Sequence, residues 1–220
     1  MQPNHSTQGI PPIYTHPDRF PSGARCRACS RIYGQDQFDN VRFCRDHDER
    51  NNSEEARLCH LSVDLQELFL ARCSSYRDIM GWRPAYKLWE PQNAPVRSPS
   101  ETQWWKWVVQ SYRMCEISHH NLAQPLLDCK EGRRFEEYNL KILAMYKVRF
   151  VTISPHDIWH CAFIIALNSG MYVFDPTGVQ FGPDWPLVSE WGTYRSMRMK
   201  PDESQWNLEI VTLSSNTCHV

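Results

Sequence analysis

Hydrophobic positions recur at helical spacing in the first half of the chain. Beyond Asn52 and Ser53, either of which suits an N-cap, acidic residues open a segment that predicts a helix beginning at Glu54. Its apolar positions lie three and four residues apart, so one face of the helix is expected to pack inward. These positions are Leu58, Leu61, Leu65, Leu68 and Phe69.

The pattern changes from helical to extended in the second half of the chain. Ser100 and Gln103 form a capping-box pattern that predicts a second helix, and an apolar stripe predicts a third helix over about Arg133–Tyr146. Asn168–Gly170 is a short turn of hairpin type. β-Branched and aromatic runs predict strands at Val148–Ile153, Cys161–Leu167, Met171–Phe174 and Leu208–Leu213. Helices followed by strands indicate an α+β fold.

Prolines and cysteines divide the chain into four parts. Residues 1–24 carry five prolines and predict a disordered tail, and residues 25–52 form a Cys-rich module. Residues 53–99 hold the first helix and a Pro-rich linker, and residues 100–220 are expected to form the α+β domain.

Composition narrows the class of protein. The 220 residues include 24 basic and 25 acidic side chains, and a net charge of −1 argues against a general electrostatic grip on nucleic acid or anionic lipid. No apolar run reaches the ~18 residues needed to span a bilayer, and the first residues lack a secretory pattern. Nine cysteines without such a signal favour a reducing compartment. We therefore expect an intracellular protein, cytoplasmic or nuclear, with no membrane partner.

Four of the cysteine and histidine positions have metal-ligand spacing. Cys26 and Cys29 are followed fourteen residues later by Cys44 and then by His47, which is a C-x2-C-x14-C-x2-H pattern. Each pair closes a tight turn, and three thiolates with one imidazole complete a structural tetrahedral Zn²⁺ site. Arginines and acidic residues alternate around this module, so a scaffold or protein-contact role is favoured over binding of nucleic acid.

A histidine and an aspartate lie at the ends of two predicted strands. His160 opens one strand and Asp175 closes the next, so a hairpin through Asn168–Gly170 brings them opposite each other near its open end. There the carboxylate can accept a hydrogen bond from one imidazole nitrogen and leave the other nitrogen for a thiol. This is the arrangement that a Cys-His-Asp relay needs.

The segment Trp159–Gly182 reads W-H-x-A-F-x6-G-x-Y-x-x-D-P-T-G-x-Q-F-G. It resembles the transglutaminase-like and papain-like cysteine enzymes, including the arylamine N-acetyltransferase branch. The resemblance implies a papain-like or transglutaminase-like domain in which His160 and Asp175 complete the relay. It also implies a thiol-dependent hydrolase or acyltransferase that acts on a peptide, isopeptide or amide bond of a protein or peptide substrate.

The nucleophile is less marked, since no cysteine has the Gly- and aromatic-rich flanks that these families use. Cys115 precedes His160 by 45 residues, a separation compatible with the family order, and Gln110 lies near enough in sequence to donate to an oxyanion. We therefore assign Cys115 as the expected nucleophile. The alternatives are Cys59, Cys73 and, in a His–Asp–Cys order, Cys218. Cys129 lies close to the strands, and Cys161 is expected to point to the face of its strand opposite His160.

Two other interpretations stay open. His156 and His160 are four residues apart and would share a face if this segment were helical, which would suit a metal, although the apolar run after His160 favours a strand. The pair His119 and His120 is expected in a solvated loop. The alternative to an enzyme is a non-catalytic, zinc-containing interaction protein that keeps the fold, and a nucleic-acid-binding zinc protein is less favoured.

Overall fold

The computed structural model describes residues 24–29, 32–33, 43–47, 51–79, 110–111, 114–153, 158–181, 185–202 and 206–211. Its elements, in chain order, are β1 (Ala24–Arg25), β2 (Ile32–Tyr33), a 3-10 turn (Arg45–His47), α1 (Glu54–Ile79), α2 (Cys115–Lys130), a 3-10 turn (Glu136–Tyr138), β3 (Ala144–Val151), β4 (Trp159–Leu167), β5 (Gly170–Phe174), a 3-10 turn (Gly178–Phe181), β6 (Val188–Glu190), α3 (Trp191–Arg198) and β7 (Trp206–Ile210).

The first helix begins where the sequence predicts. The Oγ atom of Ser53 accepts a hydrogen bond from the backbone N–H of Ala56 at 3.1 Å, so Ser53 caps α1. Leu58, Leu61 and Leu65 are fully buried along the helix. The predicted helical stripe is therefore the face that packs on the rest of the molecule.

A five-stranded sheet forms the centre of the structure. Its strand order is β6-β5-β4-β3-β7, and every neighbouring pair is antiparallel. The central strand β4 is buried on both faces, because Phe163 and Ile165 point to one side and Ala162 and Ile164 to the other. Mixed helix and antiparallel sheet confirm the α+β class.

Each face of the sheet has its own cover. On one face, Phe163 and Ile165 pack in a cluster with leucines of α1 and α2. On the other face, Ala162 and Ile164 pack with Tyr194 of α3 and with the aromatic side chains of Phe181 and Trp185. The candidate functional groups described below lie at the N-terminal end of β4.

Several element predictions were wrong. The stretch predicted as a helix over Arg133–Tyr146 forms a 3-10 turn at Glu136–Tyr138 and then enters β3, which starts at Ala144. β-Sheet pairing with β4 on one side and β7 on the other stabilises the extended form over the local helical stripe. β4 and β5 agree with the prediction to within two residues, whereas β3 and β7 begin and end earlier than predicted.

Other predictions fall on residues that are not described. These are the tail before Ala24, the Pro-rich linker after residue 79, and the second helix apart from the helical residues 110–111. Among the described residues, no helix combines the length and the apolar character needed to cross a bilayer.

Candidate active site and metal centre

His160 and Asp175 form a buried pair. The Nε2 atom of His160 lies 2.9 Å from both carboxylate oxygens of Asp175, and both side chains are fully buried. β4 and β5 pair Phe163 with Phe174, so a continued ladder would set His160 against Thr177. The same register sets Asp175 opposite Ala162, two residues from His160 on the same face of β4, so the contact is diagonal. The hairpin therefore brings the two groups together, offset by two residues rather than directly opposite.

The Asp175 carboxylate is held by further donors. Its Oδ2 atom accepts hydrogen bonds from Nε1 of Trp185 at 2.7 Å and from the hydroxyl of Tyr194 at 2.6 Å, and Oδ1 accepts one from the backbone N–H of Thr177 at 3.2 Å. Burial would raise the pKa of Asp175, but the charge of His160 and these hydrogen bonds lower it below its usual value. The carboxylate is therefore ionised and fixed in orientation.

Aromatic rings enclose the imidazole. Phe150 and Phe181 meet the His160 ring edge-on, with centroids at 5.5 and 4.8 Å, and Trp185 lies at 6.2 Å. These rings exclude water from the His160–Asp175 pair, so their electrostatic interaction is stronger than it would be in water. Burial alone would lower the pKa of His160, but the Asp175 charge and hydrogen bond outweigh it and raise the pKa to about 10.

Cys115 is the first residue of α2. The helix carries no side-chain cap at its N-terminus, where Met114 is the N-cap residue. The backbone N–H groups and the positive end of the helix dipole at such a terminus favour a thiolate over a thiol. The sequence analysis assigns Cys115 as the expected nucleophile but predicts no helix that begins at this residue.

The Cys115 thiol interacts with two neighbours on β4. A hydrogen bond from the Cys161 thiol is the largest cause that lowers the pKa of Cys115; the hydrogen bond and positive charge of His160 lower it further, to about 4, against the effect of burial. The same contact raises the pKa of Cys161 above its ordinary value. Cys161 does point away from the His160 face, as predicted, and it still reaches the sulfur of Cys115.

The second imidazole nitrogen completes this arrangement. Nδ1 of His160 is buried and makes no hydrogen bond of ordinary geometry within the described part of the chain. The Cys115 thiol nevertheless lies close enough for each group to shift the pKa of the other. Since Nε2 is held by Asp175, Nδ1 is the nitrogen available to Cys115. His160 is thus hydrogen-bonded to Asp175 through Nε2, and its charge and that of Cys115 shift each other's pKa.

A polar cavity of about 230 Å³ lies beside Cys161, the neighbour of Cys115 on β4. Its lining includes Cys161 and Glu116, the residue that follows Cys115. The other lining residues are His119, His120, Lys147, Arg149, Asn207 and Glu209. Because His160 and Asp175 are fully buried, this cavity gives a ligand access to the neighbourhood of the Cys115 sulfur, which is itself only partly buried.

The predicted solvated loop at His119 and His120 was wrong. Both residues lie in α2, and His119 is buried, with its Nε2 atom 2.7 Å from the carbonyl oxygen of Ala162 and its ring against Phe163. Burial lowers the pKa of His119 to about 4, so the ring is neutral and donates to that carbonyl. His119 therefore fixes α2 to β4 near Cys115.

The remaining candidate residues are placed elsewhere. Gln110 is a half-buried helical residue five positions before Cys115. Cys59 and Cys73 are buried on α1, and Cys59 interacts with His47. Cys129 lies near the end of α2, where burial raises its pKa to about 11. Cys218 lies outside the described residues. Of the alternative metal pair, His156 also lies outside the described residues, and His160 lies on strand β4, where it is hydrogen-bonded to Asp175.

Cys26, Cys29, Cys44 and His47 come together as the spacing predicts. Their ligand atoms lie within 4.8 Å of one another, and we refer to them as the Cys/His cluster. Sγ of Cys29 is 3.8 Å from Sγ of Cys44, which matches the edge of about 3.8 Å expected for a tetrahedron with ~2.3 Å metal–sulfur bonds. Nδ1 of His47 is 3.2 Å from Sγ of Cys44. The donor set and its spacing are compatible with zinc.

A carboxylate lies behind the histidine of the cluster. Nε2 of His47, the nitrogen turned away from the thiols, is 3.7 Å from the Glu55 carboxylate at the start of α1. Such a carboxylate commonly orients a metal-binding imidazole. The cluster is therefore attached to the first turn of α1.

Several contributors to the site were not predicted from the sequence. Trp185 and Tyr194 donate to Asp175 from a loop and from α3, and no local pattern marks either residue as its partner. Gly178, the glycine of the D-P-T-G run, contributes through its lack of a side chain. A side chain there would overlap the Trp185 indole and lie 2.5 Å from Oδ2 of Asp175, so the close approach requires glycine.

Comparison with protein-family models, with curated proteins and with solved structures found no match to this chain.

Proposed function

We propose that the protein is a thiol-dependent hydrolase or acyltransferase with a papain-like or transglutaminase-like domain, acting on a peptide, isopeptide or amide bond. The observation that carries the proposal is the fully buried His160–Asp175 pair, hydrogen-bonded at 2.9 Å. Cys115, at the N-terminus of α2, supports it, because the pKa values of its thiol and of the His160 imidazole shift each other in opposite directions.

The chemistry starts from a thiolate–imidazolium pair. Because the pKa of Cys115 lies near 4 and that of His160 near 10, the proton resides on the imidazole throughout the neutral range. The Cys115 sulfur attacks the substrate carbonyl carbon, and the oxygen gains the negative charge. The N–H groups of the first turn of α2, which have no acceptor within the helix, are suited to bind that oxyanion, and Gln110 is a second candidate donor.

Protons then balance through His160. The imidazolium donates its Nδ1 proton to the leaving amine as the carbon–nitrogen bond breaks, and a thioester to Cys115 remains. Water or an acceptor amine attacks this thioester, His160 takes the proton of the attacking group, and the thiolate leaves. Asp175 acts as a positioning residue because it holds Nε2 protonated and leaves Nδ1 to exchange the proton.

Substrate reaches the sulfur from the cavity beside Cys161. Lys147 and Arg149 supply donors to this cavity, and Glu209 and Glu116, which pairs with Arg149 at 3.3 Å, supply acceptors. A polar peptide segment, with its own donors and acceptors, fits this mixture better than an apolar ligand does. This supports a protein or peptide substrate.

We further propose that the Cys/His cluster binds Zn²⁺ in a structural role. Three thiolates and one imidazole fill all four positions of a tetrahedral ion and leave none for substrate. Zinc bound here supplies folding energy to the part of the chain that holds its ligands, where the described strands β1 and β2 have two residues each. Metal analysis of the purified protein is expected to find one zinc ion per chain, and its absence would contradict this assignment.

Reaction with p-nitrophenyl acetate tests the catalytic proposal without knowledge of the natural substrate. We expect a burst of nitrophenolate that approaches one equivalent per chain, with the acetyl group located on Cys115 by mass spectrometry. The Cys115→Ala variant is expected to lose the burst. Cys129→Ala, which alters a high-pKa thiol of the same helix, is the matched control and is expected to retain it.

The same experiment addresses the alternative function. If wild type and Cys115→Ala react equally slowly and no acetyl group is found on Cys115, the catalytic proposal is refuted. A non-catalytic, zinc-containing interaction protein would then be the better hypothesis.

A further inference from the structure

The Cys/His cluster and the His160–Asp175 pair share a backbone connection. Residues 26–29 form a tight turn, which we call the knuckle, and the carbonyl oxygen of Ala28 in this turn accepts hydrogen bonds from Leu187 N at 2.8 Å and Val188 N at 3.1 Å. The carbonyl oxygen of Leu187 in turn accepts the backbone N–H of Asp175 at 2.8 Å. A single residue, Leu187, is therefore bonded to the knuckle through its N–H and to Asp175 through its carbonyl.

A second connection runs through side chains. The Arg27 guanidinium donates to Oε1 of Gln66 on α1 at 3.2 Å, and Nε2 of Gln66 donates to the carbonyl oxygen of Pro176 at 3.0 Å. Gln66 is buried, with 5% of its surface exposed. Pro176 directly follows Asp175, so this connection and the Leu187 connection hold the backbone on both sides of the Asp175 Cα atom.

The position of the knuckle depends on the cluster. Cys26 and Cys29 are its two ends, and their sulfur atoms, together with Cys44 and His47, converge on one point. A bound metal links these four residues, whereas β1 and β2, with two residues each, supply only a short ladder. Removing the metal therefore frees the two ends of the knuckle, while the five-stranded sheet retains its own pairing.

Building on the proposed function, we infer that the metal-bound knuckle positions Asp175, with Leu187 and the Arg27–Gln66 pair as the two links, so that occupancy of the Cys/His cluster controls activation of Cys115. A displacement of the order of 0.5 Å is enough to impair a site of this kind. Both links end on the main chain next to Asp175, so a shift of the knuckle is transmitted to the carboxylate that holds His160. Gln66 and Arg27 are thereby assigned as positioning residues.

The experiment measures the pH dependence of iodoacetamide labelling at Cys115. Labelling is resolved by mass spectrometry of the peptide that contains Cys115, and bound zinc is quantified in the same samples. The Gln66→Met variant keeps an unbranched, buried side chain but lacks the donor to Pro176 and the acceptor for Arg27. Glu67→Gln is the matched control, because it alters the other partner of Arg27, at 3.0 Å, and leaves Gln66 in place.

We expect the labelling midpoint of Gln66→Met to rise by about one pH unit, a tenfold loss of thiolate below the midpoint, with zinc still bound. Glu67→Gln should match wild type. Chelator-treated wild type should show a larger rise. Protection of the buried Cys129 from labelling reports that helix α2 stays folded. If chelation exposes Cys129, the zinc-free sample is unfolded, and the Gln66→Met variant alone tests the coupling between the Cys/His cluster and Cys115.

Different results would refute the coupling between the Cys/His cluster and Cys115 and the proposed function itself. If wild type shows the low midpoint while Gln66→Met and the folded, zinc-free protein show the same midpoint, the coupling is refuted and the proposed function stands. If wild-type Cys115 itself labels with the midpoint of an ordinary thiol, the proposed function fails, whatever the cluster does.

Discussion

Replacing Asp175 with asparagine should change the charge of the site with little change in side-chain volume. Asparagine has one acceptor oxygen, and the donors from Trp185 and Tyr194 converge on the position of Oδ2. The amide oxygen is therefore expected there, and the amide nitrogen then faces Nε2 of His160. An N–H donor at that place disfavours a protonated Nε2, and the carboxylate charge that stabilised the imidazolium is gone, so His160 is expected to be neutral with its proton on Nδ1. His160 can then no longer take the proton of Cys115.

The size of the effect follows from the lost charge. A positive charge about 4 Å from the sulfur, at an effective dielectric constant of about 20, stabilises the thiolate by about 4 kcal/mol, or about 3 pKa units. The pKa of Cys115 is expected to rise from about 4 in wild type to roughly 7 in Asp175→Asn, because the Cys161 hydrogen bond remains. At pH ~5 the thiolate fraction falls roughly 90-fold, but the more basic thiolate is roughly 20-fold more nucleophilic, so the net rate falls only about fourfold.

The midpoint of the pH profile is therefore the quantity to measure, rather than one rate. Site-resolved iodoacetamide labelling of Cys115 between pH ~3 and ~10 gives this midpoint for each variant. Tyr194→Phe is the control, because it removes one hydrogen bond to Asp175 and leaves the carboxylate charge; its midpoint should stay within about half a unit of wild type. If Asp175→Asn folds normally, as judged by circular dichroism, and keeps the wild-type midpoint, then Asp175 does not control the charge state of His160.

Three further predictions concern the site and its support. The burst rate with p-nitrophenyl acetate should follow a bell-shaped pH profile. Its acid limb reports ionisation of the Cys115 thiol near pH 4, and its alkaline limb reports loss of the His160 proton near pH 10. A flat profile between pH ~3 and ~11 would contradict the thiolate–imidazolium pair. Gly178→Ala should lower the free energy of unfolding in urea by roughly 1–3 kcal/mol, because the added methyl overlaps the Trp185 indole. An unchanged unfolding midpoint would show that the indole can move aside without loss of stability. Ser53→Ala should lower the free energy of unfolding by about 1 kcal/mol through loss of the α1 cap, with no change in Cys115 labelling, whereas Ser53→Asp should retain most of the stability.

Local patterns were sufficient where the chemistry is local. The start of α1 at Glu54 follows from the Ser53 hydroxyl and its N–H partner three residues on. The β4–β5 hairpin follows from two β-prone runs and the turn at Asn168–Gly170. The Cys/His cluster follows from residue spacing, because two ligands separated by two residues form a tight turn that directs both towards one metal ion.

Local patterns failed where packing overrode them. α2 contains an internal Pro125 and a run of polar residues after Cys115, so no clear apolar stripe marks it. Burial against β4, including the hydrogen bond from His119 to Ala162, supplies what local propensity lacks. The segment predicted as a helix over Arg133–Tyr146 instead forms a 3-10 turn at Glu136–Tyr138 and enters the sheet at Ala144. There β3 pairs with β4 and, from Tyr146 onward, with β7.

The sequence by itself determined the ingredients of this protein: an α+β chain, a metal-ligand pattern, and a histidine and an aspartate at the ends of two paired strands. Only the tertiary structure decided which sulfur meets His160, because the start of α2 is brought to β4 by packing between elements 45 residues apart in sequence. It also decided the charge state of the site, since burial and the donors from Trp185 and Tyr194 come from segments with no local link to Asp175. The physical reason is that pKa values and contacts depend on what surrounds a group in space, which spacing along the chain does not fix.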